Sequence, residues 1–592
     1  MGQPSTVKET VEGMRRFLNL TVLLPTLAIV AIGFAIWGWH AQADALNLSW
    51  LDVLYHSLHA VTLSNLYAFS ERYNQDWRIE TARVLGAIAF VVAATKAVLA
   101  LLSTHASRMF GRYRRGHLLV VGDHGVARGV TEAAAARAAT VTWISNSEEE
   151  ALPIPGALIV PKRWEPSLAA SFAASHASRA VVAFRNEVQQ VAAVRALRAV
   201  SPHLPIVMNF ADAWFAERMD ELENIQGVRF VSQVQLSVRA LHWRIPPFLI
   251  ARRLGHRRMH ALIFGLGRGG EAVLTDLLLS SLTSFLGKPR VTIVDPRARE
   301  IRASLFQRCP GLSETVDIEV IDPELVADVR LLPTNALALA QAEDPFTLAY
   351  VAIDEDLRAM ALAVSLQAVA RREGWAMGPI FTRLVHGGAL PEVPEEGEVA
   401  GLVQFGATAD FAAAIGLFDP DFDALPQMFH EAYRRTAPAD APANIAWERL
   451  PEEFRESNRR QLVHLPAKLA SAGVDVAAWL RRPLPPTSAT GGIPLPSLET
   501  DPDLLERLAE LEHRRWMMDR TLSGWRPGPA RDNARRIHPD LKPYAELTEA
   551  TRELDRAIVR EAWTALGSDK GSGFFPDGGW TRETPELRAA AE

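Results

Sequence analysis

Three glycines that follow a short apolar segment form the clearest candidate binding motif in this sequence. Gly265, Gly267 and Gly270 have the spacing Gly-x-Gly-x-x-Gly, directly after His260-Ala-Leu-Ile-Phe264 and directly before an apolar helix pattern. Such a turn lets backbone N–H groups and a helix N-terminus approach a pyrophosphate. Asp295 ends the next predicted strand, where a carboxylate can accept hydrogen bonds from ribose hydroxyls. The pattern predicts a site for NAD(H) or another adenine nucleotide; its residues are Gly265, Gly267, Arg268, Gly270 and Asp295. The alternative is a fold that keeps the glycine spacing without a ligand.

A second candidate site lies near the C-terminus and combines aromatic with basic side chains. Its members are Trp516, Trp525, Arg526, Arg531 and Tyr544, with Arg535 and Arg536 nearby in the sequence. Aromatic rings can stack on a base, and guanidinium groups pair with phosphates. The group is therefore a candidate site for a nucleotide-derived signal. The alternative is that the aromatic residues pack between helices and the arginines form a solvated face.

Alternating apolar strands and helices must position the glycine turn. His117-Leu-Leu-Val-Val-Gly122 and the apolar runs after it predict a parallel sheet with crossover helices over residues 117–240. The same alternation restarts at His260 and predicts a second domain over residues 259–418. We expect a structural duplication, with two α/β domains in tandem.

The first α/β domain departs from the glycine pattern. In Gly122-Asp-His124-Gly-Val-Ala127, His and Ala replace the second and third glycines, and Asn146 follows the next strand where an acid is expected. We predict that this domain is a structural or coupling copy.

Two apolar segments near the N-terminus are long enough to cross a membrane. Phe17 to Trp39 is uncharged, and Val84 to Leu102 is interrupted only by Lys96. A helix rises about 1.5 Å per residue, so segments of this length match a hydrocarbon core about 30 Å thick. Basic residues flank the outer ends of both segments: Lys8, Arg15, Arg16, Arg108, Arg112, Arg114 and Arg115. Residues 1–116 are therefore predicted to be a two-span membrane domain with both termini in the cytoplasm.

The segment between the spans, Leu51 to Phe69, is too apolar for an ordinary exterior loop and too short to cross a bilayer. It resembles the re-entrant pore helix and filter of two-span potassium channels, with Val61-Thr62-Leu63-Ser64 at the approach to the filter. The filter glycines are absent, so potassium selectivity through glycine-supported carbonyls is not expected. Lys96 either faces the pore, where it would repel cations, or snorkels and packs against a neighbouring helix. The predicted pore residues are Thr62, Ser64, Asn65, Leu66, Tyr67 and Lys96.

The two α/β domains, placed behind a pore-like segment, resemble the RCK (TrkA-N) regulatory domains of prokaryotic potassium channels and transporters. The resemblance covers roughly Gly116 to Val234 and Met259 to Phe418. It implies a bacterial inner-membrane protein that is a homotetramer with an octameric ring of α/β domains. It also implies ion transport that a bound ligand controls.

Residues 504–568 resemble the RyR domain, named after the ryanodine receptor. The matching residues are His513, Trp516, Gly524, Trp525, Gly528, His538, Pro539, Leu541, Pro543, Tyr544 and Leu547. The resemblance implies a mainly α-helical sensory module.

Residues 424–480 resemble a diverged half-copy of this module. His430-Glu-Ala-Tyr433 parallels His513-Arg-Arg-Trp516, and Trp447-Glu-Arg-Leu450 parallels Tyr544-Ala-Glu-Leu547. A Pro/Gly/Ser-rich linker over residues 481–503 separates the copies, and residues 569–592 form a tail.

Composition narrows the possible functions. The net charge is −6, which argues against a nucleic-acid binder, and the single cysteine, Cys309, excludes a disulfide framework or a Cys-rich metal site. No hydrolase, phosphate-loop or zinc motif is present, so no catalytic or metal-binding residues are predicted and an enzyme is not expected.

The predicted architecture is two transmembrane helices with a re-entrant pore-like segment, tandem α/β Rossmann-like domains and a mainly α-helical RyR domain. The predicted function is a ligand-gated, channel-like homotetramer in a lipid bilayer, with ions and a small nucleotide as partners. The alternatives are a non-conducting, membrane-tethered nucleotide sensor and a membrane-bound NAD-dependent enzyme.

Overall fold

The structure of the protein is a computed structural model. It describes residues 20–61, 76–111, 114–123, 125–136, 139–147, 153–171, 176–210, 228–321, 333–384, 401–406, 423–476 and 495–567. The chain divides into two compact units, Met1–Arg112 and Tyr113–Glu592.

The described residues of the first unit form the helices α1 (Leu20–Leu46), α2 (Trp50–Val61) and α3 (Trp77–Gly111). Within the described residues, Thr26–Leu46 is the one helix long and apolar enough to cross a membrane, with a mean hydropathy of 1.3. Helix α1 packs against α3 through small buried residues, Ala35 and Ala82. The second predicted span, Val84 to Leu102, lies inside α3 and stays a prediction.

The predicted pore segment is described only in part. Helix α2 begins at a capping box in which Asp52 Oδ2 accepts hydrogen bonds from the backbone N–H and the hydroxyl of Ser49, at 2.9 and 2.6 Å. It ends at Val61, and Thr62, Ser64, Asn65, Leu66 and Tyr67 lie outside the described residues. Lys96 belongs to α3, and its side chain is likewise outside the described part of the chain.

The second unit begins with a six-stranded parallel sheet. Its strands are β1 (Leu118–Gly122), β2 (Val141–Ile144), β3 (Ala157–Val160), β4 (Arg179–Ala183), β5 (Ile206–Phe210) and β6 (Val228–Ser232). They are arranged in the order β3-β2-β1-β4-β5-β6. Helices α4 (Val126–Ala136), α5 (Ser167–Ser171) and α6 (Glu187–Val200) connect them, and α7 (Gln233–Arg244) and α8 (Pro247–Arg253) lead to the next domain.

A second six-stranded parallel sheet repeats this topology. Its strands are β7 (His260–Phe264), β8 (Arg290–Val294), β9 (Asp317–Val320), β10 (Leu348–Val351), β11 (Ile380–Arg383) and β12 (Leu402–Phe405), in the order β9-β8-β7-β10-β11-β12. Its helices are α9 (Arg268–Ser280), α10 (Ala298–Arg308), α11 (Leu312–Thr315), α12 (Thr334–Glu343) and α13 (Asp356–Arg372). The strand order is that of a doubly wound dinucleotide-binding fold in both sheets. The predicted parallel α/β sheets are confirmed.

The remaining described residues are mainly helical. The helices are α14 (Ala424–Thr436), α15 (Glu452–Val463), α16 (Leu465–Ser471), α17 (Pro502–Leu522) and α18 (Glu549–Gly567). Two short 3-10 helices, Trp447–Arg449 and Tyr544–Glu546, and two two-residue strands, β13 (Arg526–Pro527) and β14 (Ile537–His538), complete this part.

Helix α17 is part of the hydrophobic core of the second α/β domain. Leu511, Met518 and Leu522 are buried in the same cluster as residues of β7 and α9. The buried Cys309 thiol donates a hydrogen bond to the carbonyl oxygen of Leu522, with an S···O distance of 3.3 Å. The helical part and the second α/β domain therefore share one core, an arrangement that the sequence analysis did not predict.

Replacing Leu511 by Ala tests this shared core. Removal of a fully buried leucine side chain typically costs about 2–5 kcal/mol, so we expect Leu511→Ala to lower the thermal unfolding temperature of both parts together. The matched control is Leu339→Ala, because Leu339 is 73% exposed on a helix. Limited proteolysis during heating measures the two parts separately. Loss of the helical part alone, with the second sheet unchanged, would contradict a common core.

Candidate functional site

The glycine turn of the second α/β domain lies between β7 and α9. Gly265 has a φ of +83°, and a Cβ atom there would lie 2.7 Å from Ile353 Cγ2. A Cβ atom on Gly270 would lie 2.0 Å from the carbonyl oxygen of Gly265. At Gly267, the N-cap of α9, no described atom lies within 4 Å of such a Cβ. Two of the glycines thus allow close packing, while the third leaves open space at the helix N-terminus.

Asp295 lies beside this turn, at the carboxyl end of β8. Its Oδ2 accepts a hydrogen bond from the backbone N–H of Leu266 at 2.9 Å, and its Oδ1 accepts one from Arg297 N–H at 2.7 Å. The carboxylate therefore fixes the turn. Each oxygen keeps further acceptor capacity for a hydroxyl group.

Arg383 is a basic residue at this site that the sequence analysis missed. It ends β11, is 9% exposed and pairs with Asp354 through Nη1. A Cβ atom on Gly269 would lie 3.3 Å from Arg383 Cδ and 3.4 Å from its Nη1. The guanidinium group thus lies next to the first turn of α9, where Arg268 is exposed. A charged residue directly after the apolar run Ile380-Phe-Thr382 was the available signal.

The corresponding edge of the first α/β domain is closed by its own side chains. Asp123 accepts hydrogen bonds from Asn146 Nδ2 and from the backbone N–H of Arg185, each at 2.7 Å. Asn146 Oδ1 in turn accepts one from Trp164 N–H at 2.8 Å. These contacts suit a structural copy, and His124 lies outside the described residues.

The two helical segments that contain His430 and His513 have matching internal contacts. His430 Nε2 donates to the carbonyl oxygen of Ile445 at 2.8 Å, and His513 Nε2 donates to that of Lys542 at 2.9 Å. The His430 ring centroid lies 5.8 Å from Trp447, and that of His513 lies 5.9 Å from Tyr544.

Arginines stabilise the 3-10 helices in the same way. Arg455 Nε donates to the carbonyl oxygen of Trp447 at 3.1 Å, and Arg552 Nε donates to that of Tyr544 at 3.2 Å. One turn further along each helix, Arg459 pairs with Asp423 and Arg556 pairs with Glu506. We refer to residues 423–471 and 502–567 as the first and second helical repeats.

A cleft of about 470 Å³ lies between the two repeats. His430 and Tyr433 line it from the first repeat, and His513 and Trp516 from the second. Further lining residues are Phe454, Ser457, Asn458, Gln461, Arg520, Trp525, Arg531, His538 and Asp555. The cleft has the size of a small-molecule site, in which a few polar groups interrupt apolar walls.

Two arginines, Arg520 and Arg531, line the cleft, and Asp540 Oδ2 lies 3.9 Å from His538 Nδ1. The Arg520 guanidinium lies 5.4 Å from the Phe454 ring centroid and 5.6 Å from that of Trp525. Burial, together with the positive charges of Arg531 and Arg520, lowers the pKa of His538 to about 4. The two arginines are cationic at neutral pH and can pair with an anion.

The cleft is also lined by acidic residues, Glu512, Asp540 and Asp555. Burial raises the pKa of Asp555 to about 6, although His513 Nδ1 lies 3.3 Å from its Oδ2 and opposes this shift. Burial also disfavours the charge of Glu512, but Arg515 and Lys468 hold the pKa of Glu512 at about 2. The cleft thus offers cationic groups together with hydrogen-bonding carboxyl and amide groups.

The structure brings together only part of the predicted C-terminal site. Trp516, Trp525 and Arg531 line the cleft. Tyr544 is not among the lining residues of the cleft. The Tyr544 ring centroid lies 5.9 Å from that of His513, and the Tyr544 hydroxyl donates a hydrogen bond to Glu506 Oε2 at 3.1 Å. Arg526 lines a different cavity. The sequence analysis missed Arg520, His538 and the wall formed by the first repeat, although it recorded the parallel between His430 and His513.

A pair of glycine variants separates packing from ligand access at the turn. Gly270→Ala is expected to destabilise the protein by about 1–3 kcal/mol or more, because its Cβ atom meets backbone. Gly267→Asp is expected to unfold at the wild-type temperature, because Asp is a favourable N-cap residue and its side chain has space. Thermal unfolding of both variants measures this difference, and equal destabilisation would contradict the described turn.

The chain is similar to several solved structures and, near its C-terminus, to one protein family. It is similar to a crystal structure of GsuK bound to ADP, at 14% identity and a TM-score of 0.33, covering 68% of this chain and 96% of that chain. It is similar to the GsuK RCK domain at 13% identity and a TM-score of 0.31, covering 51% of this chain and 76% of that one. A dipicolinate synthase structure from Bacillus halodurans is similar at 10% identity and a TM-score of 0.18, covering 51% of this chain and 97% of that chain. Residues 492–568 match the family model of the RyR domain, which confirms the RyR domain predicted for the C-terminal part of the chain.

Proposed function

We propose that this chain is a membrane-anchored, channel-like protein controlled by a small nucleotide-type ligand that binds in the cleft between the two helical repeats. The observation that carries the proposal is the cleft itself. It combines aromatic rings, two arginines and hydrogen-bonding carboxyl and amide groups within about 470 Å³.

The cleft suits the parts of a nucleotide. The ring centroid of Trp516 lies 5.5 Å from that of His513 and 4.9 Å from that of His538, so Trp516 belongs to an aromatic group that can contact a base. Arg520 and Arg531 suit phosphates, since one guanidinium group can donate two parallel hydrogen bonds to phosphate oxygens. Asn458 supplies an amide that can bond the edge of a base.

The glycine turn is a second candidate site, for NAD(H) or another adenine nucleotide. The open space at Gly267 and the close contact of Gly270 with Gly265 fit a pyrophosphate above the N-terminus of α9. Arg268 and Arg383 would neutralise its charge, and Asp295 would accept a hydrogen bond from a ribose hydroxyl. A bound dinucleotide would supply adenine and phosphate groups for recognition, and the proposal gives it no catalytic role.

The shared core supplies a route from the cleft to the α/β domains. Helix α17 carries His513, Trp516 and Arg520 on the cleft side and Leu511 and Met518 in the core of the second α/β domain. A ligand that favours one position of α17 would therefore change the packing of that domain. In a homotetramer, differential binding of several kcal/mol would be needed to shift a pore decisively.

Ligand binding is tested on the full-length protein in detergent with ADP and NAD as probes. We expect one of the probes to raise the thermal unfolding temperature, and Trp516→Ala and Arg531→Gln each to weaken binding by about tenfold or more, since each removes one stacking or charge-assisted contact. Gly267→Asp distinguishes the glycine turn from the cleft. Loss of binding in this variant, with wild-type binding in the two cleft variants, would place the ligand at the turn. Arg507→Gln is the matched control, because Arg507 is 53% exposed and lines neither cavity. Wild-type affinity in both cleft variants would contradict a site in the cleft.

Channel function is tested by ion flux from liposomes that contain the purified protein. We expect flux to depend on the ligand that binds, and to lose that dependence in Arg531→Gln. Binding without flux under any ligand condition would contradict the channel and favour the non-conducting sensor. Turnover of NAD(H) under the same conditions would favour the membrane-bound enzyme.

A further inference from the structure

A second cavity, of about 650 Å³, lies beside the cleft and is lined by four arginines. Arg308 lines it from the end of α10, Arg526 lines it from β13, and Arg535 and Arg536 line it from the connection between β13 and β14. We call it the arginine cavity. Trp525 and Phe454 line both cavities, so these two rings form a common wall.

The arginine cavity has a strong excess of positive charge. Its one acidic lining residue, Glu453, lies 3.3 Å from Arg520 Nη1 and 3.4 Å from Arg536 Nη1, so its charge is already balanced. Arg526 is exposed and forms no ion pair among the described residues. Arg535 is 78% exposed, and its Nε lies 3.8 Å from Asp532 Oδ2. Two guanidinium groups are thus largely available to an anion.

The wall of this cavity does not favour an aromatic ligand. Trp525 is 3% exposed, and its indole N–H points to Glu453 Oε1 at 3.4 Å. Little of the ring is left for stacking. Recognition here therefore depends on charge and on the planar fork of the arginines, which matches phosphate oxygens.

Arg308 connects the arginine cavity to the glycine turn. Its Nη2 donates to both carboxylate oxygens of Glu271 at 2.9 Å, and Glu271 follows Gly270 in the first turn of α9. An anion in the cavity would compete with Glu271 for this guanidinium group. Binding there would then alter a contact of the helix that begins at the glycine turn.

We propose that the arginine cavity binds a multiply charged phosphate anion of the pyrophosphate or polyphosphate class, at a site separate from the cleft. The volume lies within the range of about 300–1,000 Å³ that is usual for small-molecule sites. The inference rests on the lining residues of this cavity, and it stands whether or not the cleft binds a nucleotide.

Titration calorimetry on the full-length protein in detergent, with sodium tripolyphosphate as the probe, tests the proposal. We expect the double variant Arg526→Gln/Arg535→Gln to weaken binding by about tenfold or more, because two charge-assisted contacts are lost. Both side chains are exposed, so the unfolding temperature should stay at the wild-type value. Glu271→Gln should strengthen binding severalfold by releasing Arg308.

A matched control is the double variant Arg449→Gln/Arg507→Gln, which removes two exposed arginines outside both cavities. It should bind tripolyphosphate as the wild type does. An equal loss of affinity in this control would show unspecific attraction and overturn the proposal. Loss of binding in Arg531→Gln, with full binding in Arg526→Gln/Arg535→Gln, would place the anion in the cleft and also overturn it.

Discussion

The burial of Glu512 between two cations is the interaction on which the C-terminal structure depends. Lys468 Nζ lies 2.5 Å from Glu512 Oε2, Arg515 Nη2 lies 2.8 Å from Glu512 Oε1, and each of the three side chains is 1% exposed. Burying a charge is costly unless it is paired, so these groups fix the position of α17 rather than add much net stability. Lys468 belongs to the first repeat and Glu512 to the second, and α17 also places Leu511, Met518 and Leu522 in the core of the second α/β domain. One helix therefore sets the geometry of the cleft and of the domain that carries the glycine turn.

In each of the two duplications, one copy offers more open space or more side chains suited to ligand binding than the other copy does. In the α/β pair, the second copy keeps open space at Gly267, while Asp123 and Asn146 occupy the equivalent edge of the first. In the helical pair, the interval from His430 to Trp447 is 17 residues and that from His513 to Tyr544 is 31 residues. The longer connection of the second repeat carries Trp525, Arg531 and His538, which line the cleft, and Arg531 adds a positive charge to it. The first repeat supplies a wall. Shared local contacts preserve the repeat, and the insertion supplies the recognition chemistry.

Local sequence patterns were sufficient to predict the parallel α/β sheets. Strands such as Val291-Thr-Ile-Val294 are apolar because helices cover both faces, and the glycine spacing marks the turn after β7. The grouping of the C-terminal arginines was not predictable in this way. Arg526 and Arg531 are five residues apart, yet they line different cavities on the two sides of Trp525. The short connection between β13 and β14 decides this, and it includes Arg536 with a φ of +53°. No helical or strand period specifies the direction of side chains in such a segment.

The common wall makes the two cavities interdependent. Arg520 lies against Phe454 and Trp525 on the cleft side, and its Nη1 also contacts Glu453, which lines the arginine cavity. A phosphate in the cleft that attracts Arg520 would withdraw the Arg520 guanidinium from Glu453. Among the described contacts, Arg536 would then be the remaining guanidinium partner of the Glu453 carboxylate. The potential of the arginine cavity would then become less positive, because the Glu453 charge would be less balanced. Linkage requires the reverse effect to be of equal size, since an anion in the arginine cavity would change the affinity of the cleft by the same factor. Because the two sites share the Glu453 carboxylate, an anion bound at one site would lower the affinity of the other site for an anion.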